Sequence, residues 1–134
     1  EDGLQEFGYY PIQSTDETGK FLAGELHVMQ CHQQGFELPQ GTQLLARGHT
    51  YPNQAFSYGA NVYGMQFHPE CTLATLHRWQ ASDWAPWNQP GTQNRDQQNN
   101  LAAMYDNSMH NWFTSFLASL FQPLARDDLT QTPS

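Results

Sequence analysis

Short runs of apolar residues separated by turn residues fill the first half of the chain, and a longer, helix-spaced pattern fills the second. Gly8-Tyr9-Tyr10-Pro11-Ile12-Gln13 reads as a short strand. Pro11 belongs at an edge or near the strand start, because proline cannot donate to a ladder. Ser14 to Lys20 is a turn region carrying Asp16 and Gly19. Leu26 to Cys31 predicts a second strand, through Leu26, Val28 and Met29. Phe36-Glu37-Leu38-Pro39-Gln40-Gly41 is a turn segment with two apolar anchors, and Thr42 to Ala46 a strand leading to Arg47-Gly48. Gln54 to Tyr58 and Val62 to Phe67 flank Gly59-Ala60-Asn61, which signals a hairpin.

From Thr72 to Gln80 the period becomes helical, with Leu73, Leu76 and Trp79 in register. Ser82 to Asn100 carries Pro86, Pro90 and Gly91 among many Asn and Gln, and predicts a loop, with helix resuming around Gln98. Trp112, Phe113, Phe116, Leu117, Leu120 and Phe121 then form one broad apolar stripe, the mark of a packed helix. Pro123 should stop it, leaving a flexible polar tail over 126–134. Strands followed by helices, with closely spaced turns, predict antiparallel pairs in an α/β or α+β domain.

The length of 134 residues suits one compact domain. A net charge of −8, with only Lys20, Arg47, Arg78, Arg95 and Arg126 positive, argues against nucleic acid and anionic membranes as partners. No apolar run is long enough to span a bilayer. Cys31 and Cys71 do not make a disulfide framework, so reduced thiols and a cytoplasmic setting are expected.

Candidate chemistry concentrates in Gly64-Met65-Gln66-Phe67-His68-Pro69-Glu70. Along a strand the side-chain period is two, so His68 and Glu70 point to the same side. Pro69 lacks an N–H, so pairing should stop there, leaving a His and a carboxylate at a strand's C-terminal end. A carboxylate that accepts from imidazole Nδ1 fixes the tautomer and frees Nε2 as a base. Taken as a tripeptide, the same residues also suit a surface His before a Pro-Glu turn.

The flanking segments weigh against that second reading. Gly64-x-Gln66, an aromatic residue and His68-Pro69-Glu70 stand after Gly8-Tyr9-Tyr10-Pro11-Ile12, His32, Phe36-Glu37-Leu38-Pro39-Gln40-Gly41, Leu45-Ala46 and Gln54-Ala55-Phe56. In this order they resemble the C-terminal half of a class I glutamine amidotransferase. More loosely, Pro90-Gly91-Thr92-Gln93 and the Trp112 to Phe116 spacing look like the stand-alone, GMP-synthase-like members.

The resemblance implies a flavodoxin-like, three-layer α/β fold, of which residues 1–134 are the second half, a mixed sheet with helices. It implies hydrolysis of the glutamine side-chain amide through a glutamyl thioester, with ammonia passed to an acceptor and no cofactor. His68 would be the general base and then the acid for departing ammonia, and Glu70 would orient it. His32 and Phe67 would line the cleft. The family's nucleophile sits earlier, in a Gly-x-Cys-x-Gly turn that this chain lacks. The chain is therefore expected to be a fragment, inactive alone, that works with a missing N-terminal half, a synthase subunit or another companion chain. Sheet edges exposed in such a half-domain could also join copies.

Two further readings stand beside this one. The first is a non-catalytic binding module of the same fold. The second is a zinc site from Cys31, His32, His68 and Cys71, for which an adjacent Cys-His on a strand is poor geometry. The loop bearing Trp84 and Trp87 either covers a cleft or caps the core.

Overall fold

The computed structural model describes residues 4–16 and 18–131. Strands β1 (Glu6–Ser14), β2 (Glu25–His32), β3 (Gln43–Gly48), β4 (Asn53–Tyr58) and β5 (Val62–Met65) precede helices α1 (Leu73–Gln80) and α2 (Arg95–Gln131). The strands form one sheet in the order β2-β1-β3-β4-β5. The α/β class is as expected, but every pairing among the described strands is antiparallel, so the parallel strands of a mixed sheet are not among them. No helix among the described residues is long and apolar enough to cross a membrane.

β1 pairs with β2 from Glu6↔His32 to Gln13↔Glu25, but with β3 only from Ile12 to Ser14. Pro11 therefore lies in the body of β1 where β3 does not yet reach, so its missing donor breaks no β3 bond. The free side of β1 from Gln5 to Tyr9 is covered by the segment before α2. Gln5 N–H donates to Pro90 O (2.8 Å) and Gln93 N–H to Phe7 O (3.1 Å). The Gln93 side chain acts as a further rung, accepting from Tyr9 N–H at 2.9 Å and donating to Tyr9 O at 2.6 Å. Gly8 permits this approach. A Cβ there would stand 2.0 Å from Gln93 Oε1, and its φ of +139° suits only glycine.

The core joins Phe7, Tyr9 and Ile12 of β1 and Val28 and Met29 of β2 to Phe67, Leu76, Ala102 and Met109. α2 lies across β1 and β2. Further along, its aromatic stripe closes the core's end: Phe21 packs edge-on against Trp112 (5.2 Å) and Phe116 (5.5 Å), and Tyr63 against Phe116 (5.0 Å). Trp87 caps the core against Phe7 at 5.1 Å.

Two helix boundaries differ from expectation. α2 begins at Arg95 rather than near Gln98, because Asn94 Oδ1 accepts from Gln97 N–H (2.8 Å) while Gln97 Oε1 accepts from Asn94 N–H (2.9 Å). This reciprocal capping box satisfies two backbone donors at the helix start. At the other end α2 continues past Pro123 to Gln131 instead of stopping. Of the expected tail, residues 132–134 lie outside the described residues.

Candidate active site

The sheet curls until its two edges meet, and His68 stands at the junction. Two residues earlier, Gln66 N–H donates to Gln54 O of β4 (2.8 Å), and His68 N–H donates to Met29 O of β2 (2.8 Å). Residues 66–68 thus bridge from the β4–β5 side of the sheet to the β2 edge. Inside the curl, Gln30 Nε2 donates to Gln54 Oε1 at 2.6 Å, and Gln54 Nε2 donates to Tyr51 O at 2.9 Å. Both glutamines are fully buried, so these bonds answer the cost of removing their amides from water.

β5 ends at Met65, and the backbone turns at Pro69, where Cys71 N–H donates to His68 O (3.2 Å). His68 Nδ1 and Glu70 Oε2 lie 3.1 Å apart. With Nδ1–H donating to the carboxylate, Nε2 is left as the basic nitrogen. Both side chains reach solvent, at 34% and 59% exposure. The Trp79 ring stands edge-on to the imidazole at 5.3 Å. α1 starts directly after the pair, with the Thr72 hydroxyl accepting from Thr75 N–H as N-cap.

Phe67, expected to line the cleft, is packed into the core, 3% exposed and 5.9 Å from the Trp112 ring. It anchors the strand end beneath the pair. His32 lines a pocket of about 290 Å³ with Gln5, Cys31, Gln33, Trp84 and Pro86. Its Nε2 is 2.9 Å from Gln30 Oε1 and 2.9 Å from Glu6 Oε1, and its ring stands edge-on to Tyr51 at 4.4 Å. Trp84 connects this pocket to the pair through Trp79, whose ring is 6.3 Å away. In the tryptophan loop, Trp87 caps the core and Trp84 lines this pocket.

Glu6 was invisible as a site residue in the sequence. It is buried against His32, its register partner across the β1–β2 ladder. The ladder could have signalled the contact only after the register was known.

Neither thiol is set up as a nucleophile. Burial pushes Cys71 up to about 12, with the Glu70 and Asp106 charges adding to it. Burial alone pushes Cys31 up to about 11. A nucleophilic cysteine needs the opposite, a thiolate favoured near neutral pH. The four residues of the zinc reading are not gathered: no group of three or more His, Cys, Asp or Glu that could hold a metal ion occurs among the described residues.

No known family profile matches the chain. Over 69 residues, 48% of this chain, it is 39% identical to a glutamine-hydrolyzing GMP synthase subunit of Thermococcus kodakarensis, of which it covers 37%. The fold matches a glutamine amido transferase from Methylobacillus flagellatus with a TM-score of 0.76 at 19% identity, over 87% of this chain and 52% of that one. It also matches a glutamine amidotransferase from Thermotoga maritima with a TM-score of 0.71 at 23% identity, over 88% of this chain and 51% of that one. The chain thus spans about half the length of these structures. Over the part of the domain that it spans, the chain has a class I glutamine amidotransferase-like fold.

Proposed function

We propose that residues 1–134 are the C-terminal part of a single amidotransferase domain, and that the whole protein hydrolyses the side-chain amide of glutamine. The observation that carries this reading is the 3.1 Å contact between His68 Nδ1 and Glu70 Oε2 at an exposed strand end. In the proposed reaction a cysteine supplied from outside these 134 residues attacks the amide carbon. Nε2 of His68 takes the thiol proton and then delivers it to the departing ammonia. Water attacks the resulting thioester, with His68 again as base, releasing glutamate. Glu70 keeps the ring in the tautomer that leaves Nε2 basic and stabilises the imidazolium as it forms. The ammonia goes to an acceptor held by a synthase domain or subunit, in line with the glutamine-hydrolyzing description of the Thermococcus relative and its naming as one subunit of a synthase.

The length of the structural relatives supports a partner half. So do the two raised thiols, which leave no activated nucleophile among these residues. The test is ammonia release from glutamine by the 134-residue chain alone and by the full-length protein. The proposal expects release only from the full-length protein, accompanied by a glutamyl adduct on a cysteine other than Cys31 and Cys71. An adduct on either of those two, or glutaminase activity in the isolated chain, overturns it.

A further inference from the structure

The turn that carries the catalytic pair is held from behind by α2. Cys71 follows Glu70, and its carbonyl is not taken up by α1, whose first backbone bond runs from Leu76 N–H to Thr72 O. Instead it meets His110 Nε2 at 2.7 Å. A carbonyl only accepts, so Nε2 of His110 carries the proton and donates. His110 Nδ1 faces Asp106 Oδ2, one helical turn earlier, at 3.7 Å. The other carboxylate oxygen, Oδ1, accepts from the buried Tyr9 hydroxyl at 3.2 Å. Between them on the helix, the Met109 thioether accepts from Met29 N–H at 3.3 Å. Met29 is also the residue whose carbonyl receives His68 N–H.

One stretch of α2 is therefore linked to both sides of the pair: through Met29 to the residue that enters the turn, and through Cys71 to the residue that leaves it. The Glu70 carboxylate has His68 as its sole hydrogen-bond partner among the described residues, so its direction depends on the backbone turn.

We propose that His110 is a positioning residue for the His68–Glu70 pair. Its Nε2–H holds the Cys71 carbonyl and thereby sets where Glu70 meets His68. This rests on the proposed role of the pair and extends it to a residue 40 positions away from Glu70 on another element.

The test compares His110→Ala with His110→Gln in the full-length protein. The Gln side chain keeps an N–H donor that can reach the carbonyl, whereas Ala does not. Two readouts are taken: steady-state glutamine hydrolysis, and the ring-nitrogen NMR signals of His68, identified by their loss in His68→Gln. His110→Ala is expected to lower kcat by about tenfold with KM changed less than about twofold, since misplacing a base costs rate more than binding. It should also shift the His68 Nδ1 signal, and His110→Gln should restore both. A wild-type His68 signal in His110→Ala overturns the proposal, as does His110→Gln behaving like Ala. If the protein does not hydrolyse glutamine at all, the proposed activity fails, and the NMR comparison still decides whether His110 positions the pair.

Discussion

His68 and Glu70 meet because the chain turns at Pro69, past the end of β5 at Met65, where Cys71 N–H donates to His68 O and Nδ1 of His68 comes within 3.1 Å of Glu70 Oε2. This part of the site is legible in sequence, since donor, acceptor and the residue between them are consecutive. The contacts that support it are not legible in the same way. Glu6 meets His32 across a ladder, Gln93 meets Tyr9 over a separation of 84, and His110 meets Cys71 over 39. Each depends on register or helix placement that no local pattern encodes. Phe67 shows the reverse: its place beside His68 suggested the cleft, but just past the end of β5 its ring packs into the core against Trp112. At this scale the sharpest prediction concerns Gly8. Gly8→Ala puts a Cβ against the Gln93 amide and forces alanine to a φ of +139°. It should lower the unfolding free energy by about 2 kcal/mol in denaturant titration, the order of cost of a strained backbone position. A change within about 0.5 kcal/mol would show that the Gln93 rung contributes little.

Elements were legible where the pattern was local and repeated. The five strands occupy the expected segments because alternation and turn residues bound them. The start of α2 was readable in principle from Asn94-x-x-Gln97, a capping box with Asn in place of Ser or Thr, but the Asn- and Gln-rich surroundings hid it. The continuation of α2 through Pro123 ran against the helix-breaking rule, and no local pattern marked it. Two substitutions test what the elements do for the site. Thr72→Ala removes the N-cap of α1 directly after the pair, and should cost about 1 kcal/mol by thermal or chemical unfolding. Gly91→Ala directs a Cβ to within 2.4 Å of the Gln5 carbonyl oxygen at a φ of +92°. Because backbone rather than a flexible side chain is struck, it should cost about 1–3 kcal/mol and loosen the Pro90 to Gln93 cover of β1. Amide exchange at Gln5 and Tyr9 is the direct measurement, with faster exchange expected.

At the scale of the molecule, the sheet's curl brings β2 and the β4–β5 hairpin together, and the candidate site lies on that seam. Fold class could be read from element order, whereas the curl could not, because it depends on buried side-chain bonds such as Gln30 to Gln54. Tyr58 and Val62 at the hairpin end, beside the edge strand β5, are 55% and 54% exposed. The buried acids also set a pH window. Burial pushes Cys31 up to about 11, Cys71 to about 12 and Tyr10 to about 12, against ordinary values of 9.0 for the thiols and 10.0 for the phenol. Tyr9 is raised further, by burial first and then by Asp106. Above pH 9 the unfolded chain gives up protons that the folded chain keeps. The unfolded state then binds fewer protons, and stability falls as pH rises. Chemical unfolding should show little contribution from these groups below pH 9 and a progressive loss between pH 9 and 12. Cys71→Ala should flatten that decline, and an unchanged slope would show that Cys71 ionises similarly in both states.

The central claim is that His68, oriented by Glu70, is the base for glutamine hydrolysis in the complete protein. Steady-state ammonia release by the full-length His68→Ala variant, with folding checked by circular dichroism, addresses it most directly. The predicted result is a fall in kcat of about 10²–10⁴-fold, the usual contribution of a positioned general base. A folded His68→Ala protein that hydrolyses glutamine at the unsubstituted rate would contradict it.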